Sequence, residues 1–185
     1  MNDFFSRIKK YVFLSGYIFI FFALAGYSAS TKDSLISEKI IADIIPLTDF
    51  INSLKDWQIF IFIFLNNSIK VFISIISGIA FGIFPALFLV INGFLLGVIF
   101  YSYGAITLIG VLPHGIFELA GVFLGSGMGL YLGHMAFLGK KRKVKLEGEL
   151  MASCKLFLSI ILPLLLLGAI IETYFTPLLL KYFLP

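Results

Sequence analysis

WQIFIFIFLNNSIKVFISIISGIAFGIFPALFLVINGFLLGVIFYSY, residues 57 to 103, holds a single charged side chain, Lys70, and reads as two consecutive membrane spans. A helix rising ~1.5 Å per residue crosses ~30 Å of hydrocarbon in about 20 residues. The stretch therefore supplies one crossing over 57–81 and a second over 85–103, joined by Gly82-Ile83-Phe84 and ending at Pro85. Such a tight connection predicts an antiparallel pair.

Three more apolar runs flank this pair. The first covers 11–30 and follows Arg7, Lys9 and Lys10. A charged start and small residues near 25–29 also suit a signal peptide, but the run exceeds a normal h-region and reads as an uncleaved anchor. Residues 104–138 are too long for a simple crossing, and Pro113 falls in their first third. They divide into an irregular or re-entrant piece over 105–112 and a helix over 113–138, started by Pro113 with Gly115 close behind, where a missing N–H is harmless; the alternative is that 105–112 is the outer end of one long tilted helix. The last span covers 156–174 and contains Pro163, which is expected to bend it.

The fold class is accordingly all-α: a polytopic helical membrane protein, a single domain over 1–185, with five transmembrane helices, a short re-entrant segment and an interfacial amphipathic helix. Composition agrees. Of 185 residues, 60% are hydrophobic and 13% charged, with mean hydropathy +1.06. That leaves too little polar surface for a water-soluble enzyme, a disordered tail or a secreted disulfide scaffold. The single cysteine, Cys154, forbids an internal disulfide. The net charge of +4 comes from basic residues beside apolar spans, so it points to topology and lipid rather than to nucleic acid.

Lys and Arg favour cytoplasmic flanks. The amino terminus carries three within ten residues, and the basic loop 139–155 carries six. With 104–138 crossing once, the amino end and the basic loop are expected in the cytoplasm, and loop 31–56 and the carboxyl end outside the cell membrane. Tyr11, Tyr27, Trp57, Tyr101, Tyr103, Tyr174 and Tyr182 fall near span ends, where amphipathic rings prefer the headgroup level. In the outer loop, Ile36, Ile40, Ile41, Ile44 and Ile45 recur at helical spacing, predicting a helix lying on the membrane. Pro46 is expected to end it, and Thr48 with Asp49 to cap a second short helix.

Glycine gives the clearest internal pattern. Gly121, Gly125, Gly129 and Gly133 recur every fourth residue, and Gly78/Gly82 and Gly93/Gly97 repeat that spacing, as in a glycine zipper. Four residues return to one helix face, so neighbouring backbones can approach closely. Packing within the chain is the plainer reading; a homodimer face or sliding surface is the alternative.

Ionisable residues inside spans cost ~2.5–3.5 kcal/mol at mid-helix and need a partner or water. Lys70, Glu118 and Glu172 qualify, with His114 one turn before Glu118 and with Asn66, Asn67 and Asn92 as further polar groups. Lys70 and Glu118 are expected to pair, or to share one polar cluster with His114 and Asn67. As metal ligands His114 and Glu118 number only two, so no metal or other cofactor is expected, and no nucleophile or phosphate-loop motif marks an enzyme. The set suits equally a proton or ion path and a buried polar clasp.

Several motifs together resemble the stage II sporulation protein M family of multi-pass membrane proteins. They are Phe64-Leu65-Asn66-Asn67, the Gly78/Gly82 and Pro85 turn, Asn92-Gly93 with Gly97, Leu112-Pro113-His114-Gly115-Ile116-Phe117-Glu118 before the glycine-rich helix, and Ile171-Glu172 with Thr176-Pro177. They cover about 57–180. The resemblance implies a membrane protein without catalysis of its own, a scaffold for envelope-remodelling proteins; in endospore formers, for those that degrade peptidoglycan during engulfment. It also marks Asn67, Asn92, Pro113, His114, Gly115, Glu118 and Glu172 as candidate functional positions. The expected partners are membrane lipids, held at the basic segment 140–145, and envelope proteins or further copies of this chain. The rival class is a small ion, proton or solute transporter built on Lys70, His114, Glu118 and Glu172.

Overall fold

The computed structural model describes residues 2–138 and 143–183, and every element among them is helical. Helix α1 is Asn2–Lys32, α2 is Ser34–Asn52, α3 is Asp56–Ser77, α4 is Ile83–Tyr103 and α5 is Ile106–Phe137. A last helical rod follows as α6 (Lys143–Leu156), a π-turn (Phe157–Ile161), α7 (Leu162–Ile170), a second π-turn (Ile171–Phe175) and α8 (Thr176–Phe183). Helices α1, α3, α4 and α5 and the last rod are each long and apolar enough to cross a membrane, five spans among the described residues. Their outer surfaces agree: Phe13, Tyr17, Ile116 and Leu158 are all more than 60% exposed, a surface that only hydrocarbon or another protein would cover.

Helix α1 begins well before the apolar run at 11. Phe4, Ile8, Tyr11, Ser15 and Phe19 recur at three- and four-residue spacing and are all buried. The first of them join Val71, Ile75, Met128, Tyr131, Leu132, Leu156 and Ile161 in the main core. Tyr11 is therefore no interfacial anchor: its hydroxyl bonds His134 Nδ1 at 2.8 Å inside the bundle. Tyr27, Trp57, Tyr103, Tyr174 and Tyr182 remain exposed.

Two proline readings require correction, those of Pro113 and Pro46. Helix α5 runs unbroken through Pro113, so 105–112 is helical and neither Pro113 nor Gly115 starts a helix. In hydrocarbon an irregular segment would strand several backbone groups, whereas an internal proline strands one carbonyl. Pro46 likewise lies inside α2, among exposed residues of that helix. The cap of that helix is Asp33, accepting from the Leu35 N–H at 3.0 Å, while Thr48 donates to the Ile44 carbonyl within the helix. Pro163 and Pro177 each follow a π-turn by two residues. There the Leu162 N–H reaches Phe157 and the Thr176 N–H reaches Ile171, a wider loop that accommodates the missing donor and the ring.

The region read as a basic loop is helical from Lys143 onward. Its Leu, Glu, Lys, Met and Ala content favours helix, and Leu146 and Leu150 pack on the core. Lys140, Lys141 and Arg142, on which the lipid-contact reading chiefly falls, lie outside the described residues. Arg7 joins α1 to α6, its guanidinium 3.3 Å from the buried Glu149 carboxylate.

The turn between α3 and α4 is Gly78–Gly82, with Phe81 and Gly82 in the left-handed region, and Pro85 sits in the first turn of α4, where an N–H has no partner to lose. From that turn α4 does not stay against α3. It packs mainly along α1, and α5 fills the centre of the bundle, touching α1, α3, α4 and the last rod. Glycine decides this arrangement. A β-carbon at Gly93 would meet the Phe19 backbone, one at Gly97 the backbone of Ala23 and Tyr27, and one at Gly26 the Phe94 backbone. The α1–α4 contact is thus made backbone to backbone from both sides.

Candidate functional site

The separation of α3 from α4 leaves a cavity of about 220 Å³, backed by α5 and α1. Apolar side chains form most of its wall, but Asn67 and Lys70 of α3, Asn92 of α4, and His114 and Glu118 of α5 also line it. Asn67 Nδ2 donates to Glu118 Oε1 at 2.6 Å, tying α3 to α5. Asn92 donates at 2.7 Å to the Phe88 carbonyl of its own helix.

His114 and Glu118 are one turn apart on α5 and project from one face. The second π-turn carries Glu172 up to them, so that ligand atoms of His114, Glu118 and Glu172 all lie within 4.8 Å of one another. His114 Nδ1 is 3.2 Å from Thr176 Oγ1, which positions the ring against the last rod. The carboxyl of Glu118 fits there because position 168 is glycine: a β-carbon on Gly168 would stand 2.6 Å from Glu118 Cγ.

Three details of the expected cluster change, although Asn67, Lys70, His114 and Glu118 do line one cavity. Lys70 and Glu118 line the same cavity but form no ion pair; the partner of Glu118 on α3 is Asn67, one turn nearer the end of that helix bearing Trp57. Lys70 is exposed and pairs with no carboxylate among the described residues. Asn66 also stays out of the cluster: it faces a separate groove with Trp57, Leu65 and Ile69 and reaches Asn67 only at 3.4 Å. The count of metal ligands changes too, because Glu172 makes a third beside His114 and Glu118.

The glycine stripe of α5 serves several partners in turn. Gly121 faces Leu165 and Ile161, Gly125 faces Val71, Gly129 faces Ser74 and Pro85, and Gly133 faces Gly82 and Phe81. Gly78 lies against the Gly129 backbone. These surfaces are occupied within the chain, so α5 can sit at the centre of the bundle.

Gly168 and the Thr176–His114 bond were not found from the sequence as parts of the site. Gly168 lies one turn before Glu172, the same spacing that joins His114 to Glu118, and that repeat was the available signal. Nothing in the sequence foretold the π-turn that rotates Glu172 into place.

Comparison with known proteins agrees with this architecture. An uncharacterized protein of Methanocaldococcus jannaschii is 30% identical over an alignment of 183 residues that covers 94% of each chain. No solved structure matches. The sequence pattern described as "Stage II sporulation protein M" matches residues 11–177, spanning α1 to the start of α8 and so every residue of the polar site. This chain is a multi-pass membrane protein that belongs to the stage II sporulation protein M family.

Proposed function

We propose that this chain is a non-catalytic membrane scaffold, an assembly factor for a cell-envelope complex that takes a partner's transmembrane helix at the opening between α3 and α4. The observation that carries this reading is Lys70: an exposed cation seven residues inside the end of a spanning helix, with no carboxylate partner among the described residues. An ammonium at such depth costs ~2.5–3.5 kcal/mol unless it is paired or hydrated. A helix bearing Asp or Glu would supply the pair, and the apolar walls of the cleft would supply the packing. The role implied by the family resemblance, anchoring envelope-remodelling proteins, fits that chemistry. In this reading the amino end is cytoplasmic, following the bias of Lys and Arg, and α2 and α8 lie on the outer side.

Crosslinking in the native membrane followed by purification and quantitative mass spectrometry tests it. Stoichiometric recovery of an envelope protein with an acidic residue in a membrane helix is expected; recovery of the chain alone would reject the scaffold. A second reading, transport, draws on the juxtaposition of His114, Glu118 and Glu172 beside a cavity that Asn67, Lys70 and Asn92 also line. Its signature is ion or proton flux in proteoliposomes that disappears with Glu118→Gln.

A further inference from the structure

We propose that His114, Glu118 and Glu172 form a binding site for one divalent first-row transition cation. This goes beyond the scaffold reading, and neither depends on the other.

The three groups come from two elements, α5 and the π-turn of the last rod, and their ligand atoms already lie within 4.8 Å of one another. Ligands sharing an ion sit at about 2.0–2.2 Å from it, hence roughly 3–4 Å apart. Binding requires that rotation about the glutamate side-chain torsions close the remaining distance.

Three features of the surroundings point to a ligand rather than to a polar contact alone. The Thr176 hydroxyl donates to the Ile171 carbonyl at 3.3 Å, so at 3.2 Å its oxygen is placed to accept from His114 Nδ1–H, the tautomer that orients the ring and leaves Nε2 free for a metal. Asn67 holds one oxygen of Glu118 and leaves the other open. The Glu172 carboxyl, in the interior of a membrane bundle, receives no hydrogen bond from any described residue. Two carboxylates at this depth are expensive as isolated charges, and a dication would neutralise both at once.

The donor set also selects the ion. One imidazole with two carboxylates favours Mn²⁺, Fe²⁺, Co²⁺ or Zn²⁺ over Mg²⁺ and Ca²⁺, which prefer oxygen alone. Three protein ligands leave coordination positions open, and the 220 Å³ cavity beside His114 and Glu118 has room for water in them. A bound ion would link α5 to the last rod.

Cobalt provides the test, because its visible spectrum reports the ligand field directly. The purified full-length chain in lipid nanodiscs, stripped with chelator, is titrated with Co²⁺ and then with competing Zn²⁺. One Co²⁺ per chain is expected, displaced by Zn²⁺, with X-ray absorption showing mixed nitrogen and oxygen ligation in the unaltered protein. His114→Gln and Glu172→Gln should each weaken binding by more than about tenfold. His134→Gln, which alters the other histidine, should leave it in place. Folding of each variant is checked by its elution profile and thermal unfolding, and the measurement on the unaltered chain stands whatever a variant does. Absence of stoichiometric Co²⁺ binding by the folded protein would overturn the site and indicate carboxyls that share a proton instead. Binding that survives His114→Gln, or is lost with His134→Gln, would overturn it as well.

Discussion

The side-chain amide of Asn67 on α3 donates to the carboxyl of Glu118 on α5 at 2.6 Å, a hydrogen bond made inside a membrane bundle between residues 51 positions apart. Bonds of this kind in bilayers contribute about 1 kcal/mol, less than their geometry suggests, because the unfolded chain in lipid finds other partners. A double-mutant cycle of Asn67→Leu and Glu118→Met, each of which removes one partner of the bond, followed by detergent-induced unfolding, should return a coupling of about 1 kcal/mol. Lys70→Met paired with Glu118→Gln should couple less, since those two side chains make no ion pair. Equal coupling in both cycles would show that Lys70 reaches Glu118 after all.

Close helix contact makes a second prediction. Gly97→Ala places a β-carbon against the backbone of Ala23 and Tyr27, so α1 and α4 must separate, and a loss of about 1–3 kcal/mol is expected from overpacking. Gly148→Ala, in α6 with no atom within 4 Å of the new carbon, should instead gain up to about 1 kcal/mol from helix propensity. Thermal unfolding of the two variants in one lipid system gives the comparison. A Gly97→Ala protein as stable as the parent would mean that the backbone contact does not form.

Arg7 and Glu149 differ in exposure, with side chains 40% and 7% accessible, and that asymmetry fixes the order of their mutational effects. Arg7→Met leaves a buried carboxylate without its cation and should cost roughly 1–3 kcal/mol. Glu149→Gln removes the charge that needs the partner and should cost less. Added salt should narrow the gap, since Arg7 is half open to solvent. Unfolding midpoints of the two variants at low and high ionic strength check both statements, and a larger loss for Glu149→Gln would contradict them.

Much of this fold was legible from hydropathy, because in hydrocarbon a spanning segment has almost no choice but helix. The five crossings follow from that constraint, as does the proximity of His114 to Glu118, which needs only the helical repeat. The proline positions misled for the same reason: Pro113 and Pro46 read as boundaries in a soluble protein, but a membrane helix tolerates one unpaired carbonyl more readily than an irregular segment. Helix partners were harder. The Gly93/Gly97 stripe matched Gly78/Gly82 in spacing, yet its partner is α1, where Gly26 returns the close approach. Spacing shows that a backbone can be approached and leaves open which helix approaches it. Glu172 reaches His114 and Glu118 through a π-turn, and Glu118 fits in the space left by Gly168, features of three-dimensional register that no linear pattern encodes.

The central claim, that Lys70 receives a partner's membrane helix, is tested most directly by charge reversal. Lys70→Glu and the unaltered chain, expressed at equal abundance, are purified from the native membrane after crosslinking and compared by quantitative mass spectrometry. The scaffold account predicts an envelope protein recovered in stoichiometric amount with the unaltered chain, lost with Lys70→Glu, and restored when an acidic residue in that protein's membrane helix is changed to lysine. Equal recovery with Lys70→Glu, or no protein recovered with either chain, would contradict it.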